Sequence, residues 1–109
     1  MTIIADIKSN TPLPVLRALR KLGRDISLAR RKRRIPMALL SQRASIARST
    51  LSKIEKGDAG VNIGAYAKVI FVMGMLDQIA NLMDSTIDKK GQNYMEEDLP
   101  KRIRFNNKR

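Results

Sequence analysis

Met37-Ala-Leu-Leu-Ser-Gln-Arg-Ala44, Ser45-Ile46-Ala47 and Arg48-Ser-Thr-Leu-Ser-Lys-Ile-Glu-Lys56 follow one another without a gap. Pro36 cannot continue a helix but suits the start of one, so a short helix is predicted over 37–44. Ser45-Ile46-Ala47 interrupts it. A second short helix is predicted over 48–56, stopped by Gly57 in the position just past a helix end. Leu40 on the first helix and Leu51 and Ile54 on the second supply a shared core. Ser41 and Ala44 are small and permit close approach, and Ile46 plugs the gap between the two. The remaining face of the second helix is Arg48, Ser49, Ser52 and Lys53, with Thr50 beside it. That face is polar, cationic and free of carboxylates. Two helices joined by so short a turn form the arrangement whose second member enters the major groove of DNA. A groove-reading helix needs such a face, because an acidic residue on it would meet phosphates.

Upstream, the pattern turns helical from Pro14. Val15, Leu16, Leu19, Leu22 and Ile26 fall on one apolar face. Thr11 or Pro12 opens this helix. Gly23 weakens it in the middle by about 1 kcal/mol relative to alanine, which leaves room for two shorter helices in its place. The run Arg30–Arg34 closes the segment. Cations there complement the helix dipole, and phosphate attraction is the other reading of the same run. Downstream, Asn62 is a plausible N-cap. Residues 63–73 are almost uniformly apolar, which predicts a helix buried on more than one side. Gly74 marks a turn. A fifth helix is predicted over 75–84, with Met75, Leu76, Ile79, Leu82 and Met83 apolar. No segment alternates as a strand does, so the predicted fold is all-α, with five helices. The expected organisation is an N-terminal arm over 1–12, a helical domain over 13–84 with an extended first helix, and an acidic linker and flexible basic tail over 85–109.

The 109 residues include 22 Lys+Arg and 10 Asp+Glu, a formal net charge of +12. The charge is uneven: net +8 over 1–34, +2 over 35–60, −3 over 61–100 and +5 over 101–109. A field of this sign attracts polyanions. Cysteine and histidine are absent, which removes disulfides, thiolate chemistry, imidazole catalysis and most zinc sites. No phosphate loop stands out. An enzyme is not expected, and neither is a catalytic residue, a cofactor or a metal. No apolar run approaches the ~20 residues of a membrane span, and no secretory signal is legible. The expectation is a cytoplasmic, nucleoid-associated protein. Two Phe and two Tyr, none in the two-helix stretch, argue against base stacking on RNA. A basic, partly apolar first helix would also suit a membrane surface, but its apolar stripe is better used in the core.

The stretch from about Leu22 to Gly74 resembles the lambda-repressor and Cro-like helix-turn-helix family. The residues that carry the resemblance are Arg30, Leu40, Ser45-Ile46-Ala47, Arg48-Ser-Thr-Leu-Ser-Lys-Ile-Glu55 and Gly57. The chain departs from that pattern at Ser45, where the family usually has glycine, and at Ala47, where a Ser or Thr cap is common. The resemblance implies that Arg48, Ser49 and Lys53 reach base edges, with Arg48 placed for a bidentate guanine contact. It implies phosphate contacts from Arg43, Thr50, Ser52 and Lys56, and from Met37 through its backbone N–H. It also implies that Arg30 and Glu55 form a buried, structural ion pair.

The runs Glu55-Lys-Gly-Asp-Ala-Gly-Val-Asn-Ile-Gly-Ala-Tyr-Ala-Lys-Val-Ile70, Met73-Gly-Met-Leu-Asp77 and Leu99-Pro-Lys-Arg-Ile-Arg104 are similar to HipB-like antitoxins. That narrower resemblance implies a dimer that represses its own toxin–antitoxin operon and binds a HipA-like serine/threonine kinase. Twofold symmetry suits a palindromic operator, with half-sites about 34–36 Å apart. Tyr66, Ile70, Phe71, Met73, Leu76, Ile79 and Leu82 exceed what one small core needs. Some of them are therefore expected at a homodimer interface or at an interface with a partner protein. The competing readings are a stand-alone phage-type or housekeeping regulator, and a protein-binding antitoxin without DNA specificity.

Overall fold

Pro12 and Pro14 pre-set the first turn of a 20-residue helix, α1 (Leu13–Lys32), in a computed structural model that describes residues 10–105. The Pro12 carbonyl accepts from the Val15 and Leu16 N–H groups at 3.0 and 3.1 Å. Most of the expected arm over 1–12, and residues 106–109 of the tail, lie outside the described residues. Three further helices follow: α2 (Met37–Arg43), α3 (Arg48–Glu55) and α4 (Ile63–Val72). A short fifth, α5, covers Leu76–Ala80. Among the described residues there is no strand, so the fold is all-α, and no helix is long and apolar enough to cross a membrane.

The first four helices end in the same way. The residue past each C-cap takes the left-handed conformation: Arg34 (φ 55°), Ser45 (φ 56°), Gly57 (φ 74°) and Gly74 (φ 77°). In each case the next N–H reaches back to the third-last helical carbonyl. The four bonds are Ile35 to Arg30, Ile46 to Ser41, Asp58 to Lys53 and Met75 to Ile70, at 3.0–3.2 Å. This pairing satisfies carbonyls that a helix end leaves open. Glycine takes the conformation without strain; Arg34 and Ser45 do not. Each of those two is followed by an isoleucine, Ile35 or Ile46, that packs against the core. Burial of that side chain offsets the strain.

Gly23 does not divide α1. Its position is buried, and a Cβ there would sit 2.6 Å from both the Gly57 nitrogen and the Ile54 carbonyl oxygen. The glycine lets the backbones of α1 and α3 touch. α3 also packs on α2, and α2 on α4. The core holds Ile26 from α1, Leu40 and Ala44 from α2 and its cap, Leu51 and Ile54 from α3, and Ala65, Tyr66, Val69, Ile70 and Met73 from α4 and its cap. Leu40, Leu51, Ile54 and Val69 are fully buried. Asn62 caps α4, its side-chain oxygen accepting from the Ala65 N–H at 2.8 Å.

Three expectations need correction. Val15 is exposed rather than part of the apolar face, and Leu22 and Ile26 carry the contact instead. α4 is not buried on more than one side: Ile63 and Phe71 are 65% and 64% exposed. Its main partner is α2, so one flank faces outward. The helix predicted over 75–84 covers only Leu76–Ala80. Leu82 and Met83 are exposed, and a short helix without a buried face has little to hold it.

The chain divides into two compact units after Ile79. In the second, residues 80–105 form turns and two single-turn 3-10 helices, Gly91–Asn93 and Glu96–Asp98, none with a buried residue. Asp84 accepts from the Thr86 hydroxyl at 2.6 Å and the Thr86 N–H at 2.9 Å. These bonds hold its carboxyl below the usual range.

Candidate nucleic-acid interface

α2 and α3 are joined by Ala44, Ser45, Ile46 and Ala47. Leu40, Ala44, Leu51 and Ile54 are buried between them and the neighbouring helices. Ser41 is buried as well, and its hydroxyl donates to the Ala38 carbonyl at 3.0 Å. This places Leu51 and Ile54 on the inner side of α3 and leaves Arg48, Ser49, Lys53 and the C-cap Lys56 exposed on the outer side. Ser52 and Thr50 are half-buried at its edges. On α2, Arg43 is exposed and Met37 is half-buried against the core. The side chains of Arg43, Arg48, Lys53 and Lys56 form no hydrogen bond or ion pair with any group among the described residues.

α3 contains one carboxylate, Glu55, and it is turned off the outer face. Arg30 of α1 meets it with two contacts, Nε to Oε2 at 2.7 Å and Nη2 to Oε1 at 3.1 Å. The third nitrogen, Nη1, donates to the Ile35 carbonyl at 3.0 Å. Both side chains are nearly buried, 13% and 10% exposed. The pair ties α1, the Ile35 connection and α3 together. It also neutralises the one negative charge that would otherwise oppose a polyanion at α3.

The run Arg30–Arg34 separates into distinct roles. Arg31 donates to the Ser27 carbonyl and hydroxyl, both at 3.3 Å. Arg33 donates to the Ala29 carbonyl at 3.0 Å and to the Met73 carbonyl at 3.3 Å. It therefore links the end of α1 to the end of α4. Arg34 takes the left-handed position that ends α1. Helix termination and packing account for most of the run.

The seven apolar residues expected at an interface do not stand together. Tyr66, Ile70 and Met73 belong to the core of the first unit, each under a tenth exposed. They are needed there because α1 contributes only one buried apolar side chain, Ile26. The Tyr66 hydroxyl donates to the Asp58 carbonyl at 2.8 Å. Burial, and then the Asp58 charge, raise its pKa above 10.0. Ile79 is half-buried against the core. Phe71 and Leu76 are exposed, as is Leu82 in the second unit.

Sequence reasoning passed over Arg20. It lies with Lys53 and Lys56 around one surface hollow, yet α1 reads in sequence as a core helix. Nothing local to residue 20 says which loop it will face. Comparison of the chain with protein-family models, with curated proteins and with solved structures finds no match.

Proposed function

We propose that this chain is a sequence-specific DNA-binding protein that inserts α3 into the major groove and represses transcription as a dimer on a palindromic operator. The observation that carries the reading is the outer face of α3. Arg48, Ser49, Lys53 and Lys56 are exposed there, the cations have no side-chain partner among the described residues, and the helix's only carboxylate is bound elsewhere by Arg30. Arg48, Ser49 and Lys53 read base edges, and Arg43, Thr50, Ser52, Lys56 and the Met37 N–H hold phosphates. Exposed Phe71 and Leu76 supply apolar surface for the twofold contact or for a protein partner. The resemblance to HipB-like antitoxins makes a HipA-like kinase that partner.

Fluorescence anisotropy on the duplex upstream of the chain's own gene, against a scrambled duplex over a salt series, tests the reading. Preference for the upstream duplex that persists as salt rises is the expected result. Equal binding to both duplexes, vanishing with salt, reduces the chain to a general polyanion binder and removes the repressor reading.

A further inference from the structure

We infer that the exposed face of α1 over residues 17–24 is a second phosphate-binding element, with Arg17, Arg20 and Arg24 gripping the DNA backbone beside the groove that α3 enters. This inference rests on the DNA-binding reading and extends it to residues that no groove-reading motif includes.

The three arginines fall on one side of α1, because spacings of three, four and seven residues return to the same helical face. All three are exposed and none has a partner among the described residues. The nearest carboxylate on α1, Asp25, is already taken by Lys21 at 2.7 Å. Ile26, on the far side of the helix from Arg17 and Arg24, is in the core, and Gly23, on the flank between Ile26 and Arg20, holds α1 against the end of α3. The stripe therefore cannot turn inward.

Its continuity with α3 decides the occupant. Arg20 lines a hollow of about 120 Å³ together with Leu16, Lys53, Lys56, Gly57 and Asp58. Two of those residues, Lys53 and Lys56, already belong to the proposed DNA face. The Asp58 carboxylate in that hollow accepts from the Gly60 N–H at 2.7 Å, which satisfies part of its charge locally. Three cations thus converge where α1 crosses the end of α3, and Arg17 and Arg24 extend the line along α1. From Arg17 to Arg24 the helix rises about 10 Å. Duplex DNA presents one phosphate per ~1.7 Å of its axis, so several phosphates lie within that reach. A duplex backbone therefore supplies enough phosphates to occupy all three arginines.

The test is the salt dependence of binding by the full chain carrying Arg17→Gln, Arg20→Gln and Arg24→Gln together. Each lost phosphate contact lowers the slope of log affinity against log salt by about 0.9. The expected drop is about 2.7, so between 50 and 200 mM salt the triple variant loses about fortyfold less affinity than the wild type. Its ratio of target to scrambled affinity stays unchanged. Lys68→Gln, Lys89→Gln and Lys90→Gln together remove the same charge from residues outside α1 and should leave the slope in place. An unchanged slope in the α1 variant overturns the inference. An equal drop in both variants also overturns it, since the effect is then a long-range field. A slope unchanged on DNA with lost binding to polyglutamate assigns the stripe to an acidic protein and overturns it too. If the DNA-binding reading itself is wrong, the wild type shows no preference for the upstream duplex, a separate result. Circular dichroism checks that the exposed substitutions leave the fold intact.

Discussion

Gly23 and Gly57 meet where one added methyl group would force two helices apart. Gly23→Ala is expected to lower stability by about 1–3 kcal/mol through overpacking, against an intrinsic helix gain of about 1 kcal/mol. The added carbon would stand 2.6 Å from backbone atoms of Gly57 and Ile54, which cannot rotate away as a side chain can. Thermal melting checks this, and a rise in Tm would mean that the two helices do not touch there. Tyr66 carries a pH dependence. Its pKa is raised by burial and by Asp58, so its stabilisation is full below the ordinary value near 10.0 and is lost as pH rises through the higher folded value. Tyr66→Phe should cost about 1 kcal/mol at neutral pH, from the lost bond to the Asp58 carbonyl. The gap between wild type and variant should then close above pH 10, as followed by denaturant melts. A gap independent of pH would exclude the coupling. At this scale the sequence was only partly legible. Gly57 reads as a helix stop, but Gly23 reads as a weak point until its neighbour across the core is known.

The Arg30–Glu55 pair governs how α1 meets α3. Glu55→Met leaves a nearly buried guanidinium with only the Ile35 carbonyl, and should cost about 3 kcal/mol. Arg30→Met with Glu55→Met should cost less than the sum of the two single changes, because neither charge is then left alone. A double-mutant cycle by denaturant unfolding measures the coupling, and strict additivity would deny it. The elements themselves were largely readable. Pro36, the apolar spacing and Gly57 place α2 and α3 to within a residue, since helix starts and stops are local chemistry. The shortened α5 was not readable. The apolar period runs on through Leu82 and Met83, but a period forms a helix only where a neighbour covers it, and both side chains are exposed.

The net charge of +12 draws the whole molecule to polyanions, and salt weakens that attraction without regard to sequence. In the proposed function, specificity belongs to the few exposed side chains of α3. Arg48→Ala should cost about 1–3 kcal/mol on the target duplex and leave binding to scrambled DNA nearly intact. Anisotropy titration of both duplexes decides it, and equal loss on the two would assign Arg48 to phosphate rather than to base. The candidate site was legible in the sequence as a cationic stretch without carboxylates along 48–53. Its extension to Arg20 was not, because it depends on α1 crossing α3, and the Arg30–Glu55 pair that takes Glu55 off the face was expected only from the family resemblance.

The sequence by itself determined that the chain is helical, where α2, α3 and α4 begin, and that its positive charge lies mainly before residue 60 and after residue 100. Proline, capping residues and residue spacing act over a few positions and can be read locally. Only the tertiary structure decided which apolar residues of 66–82 form core, which cations are paired and which terminate helices, and why Arg34 and Ser45 tolerate a left-handed backbone. Burial and pairing are set by residues far apart in the chain. Arg33 reaches Met73 across 40 positions and Arg30 reaches Glu55 across 25, and no local pattern records a partner at that distance.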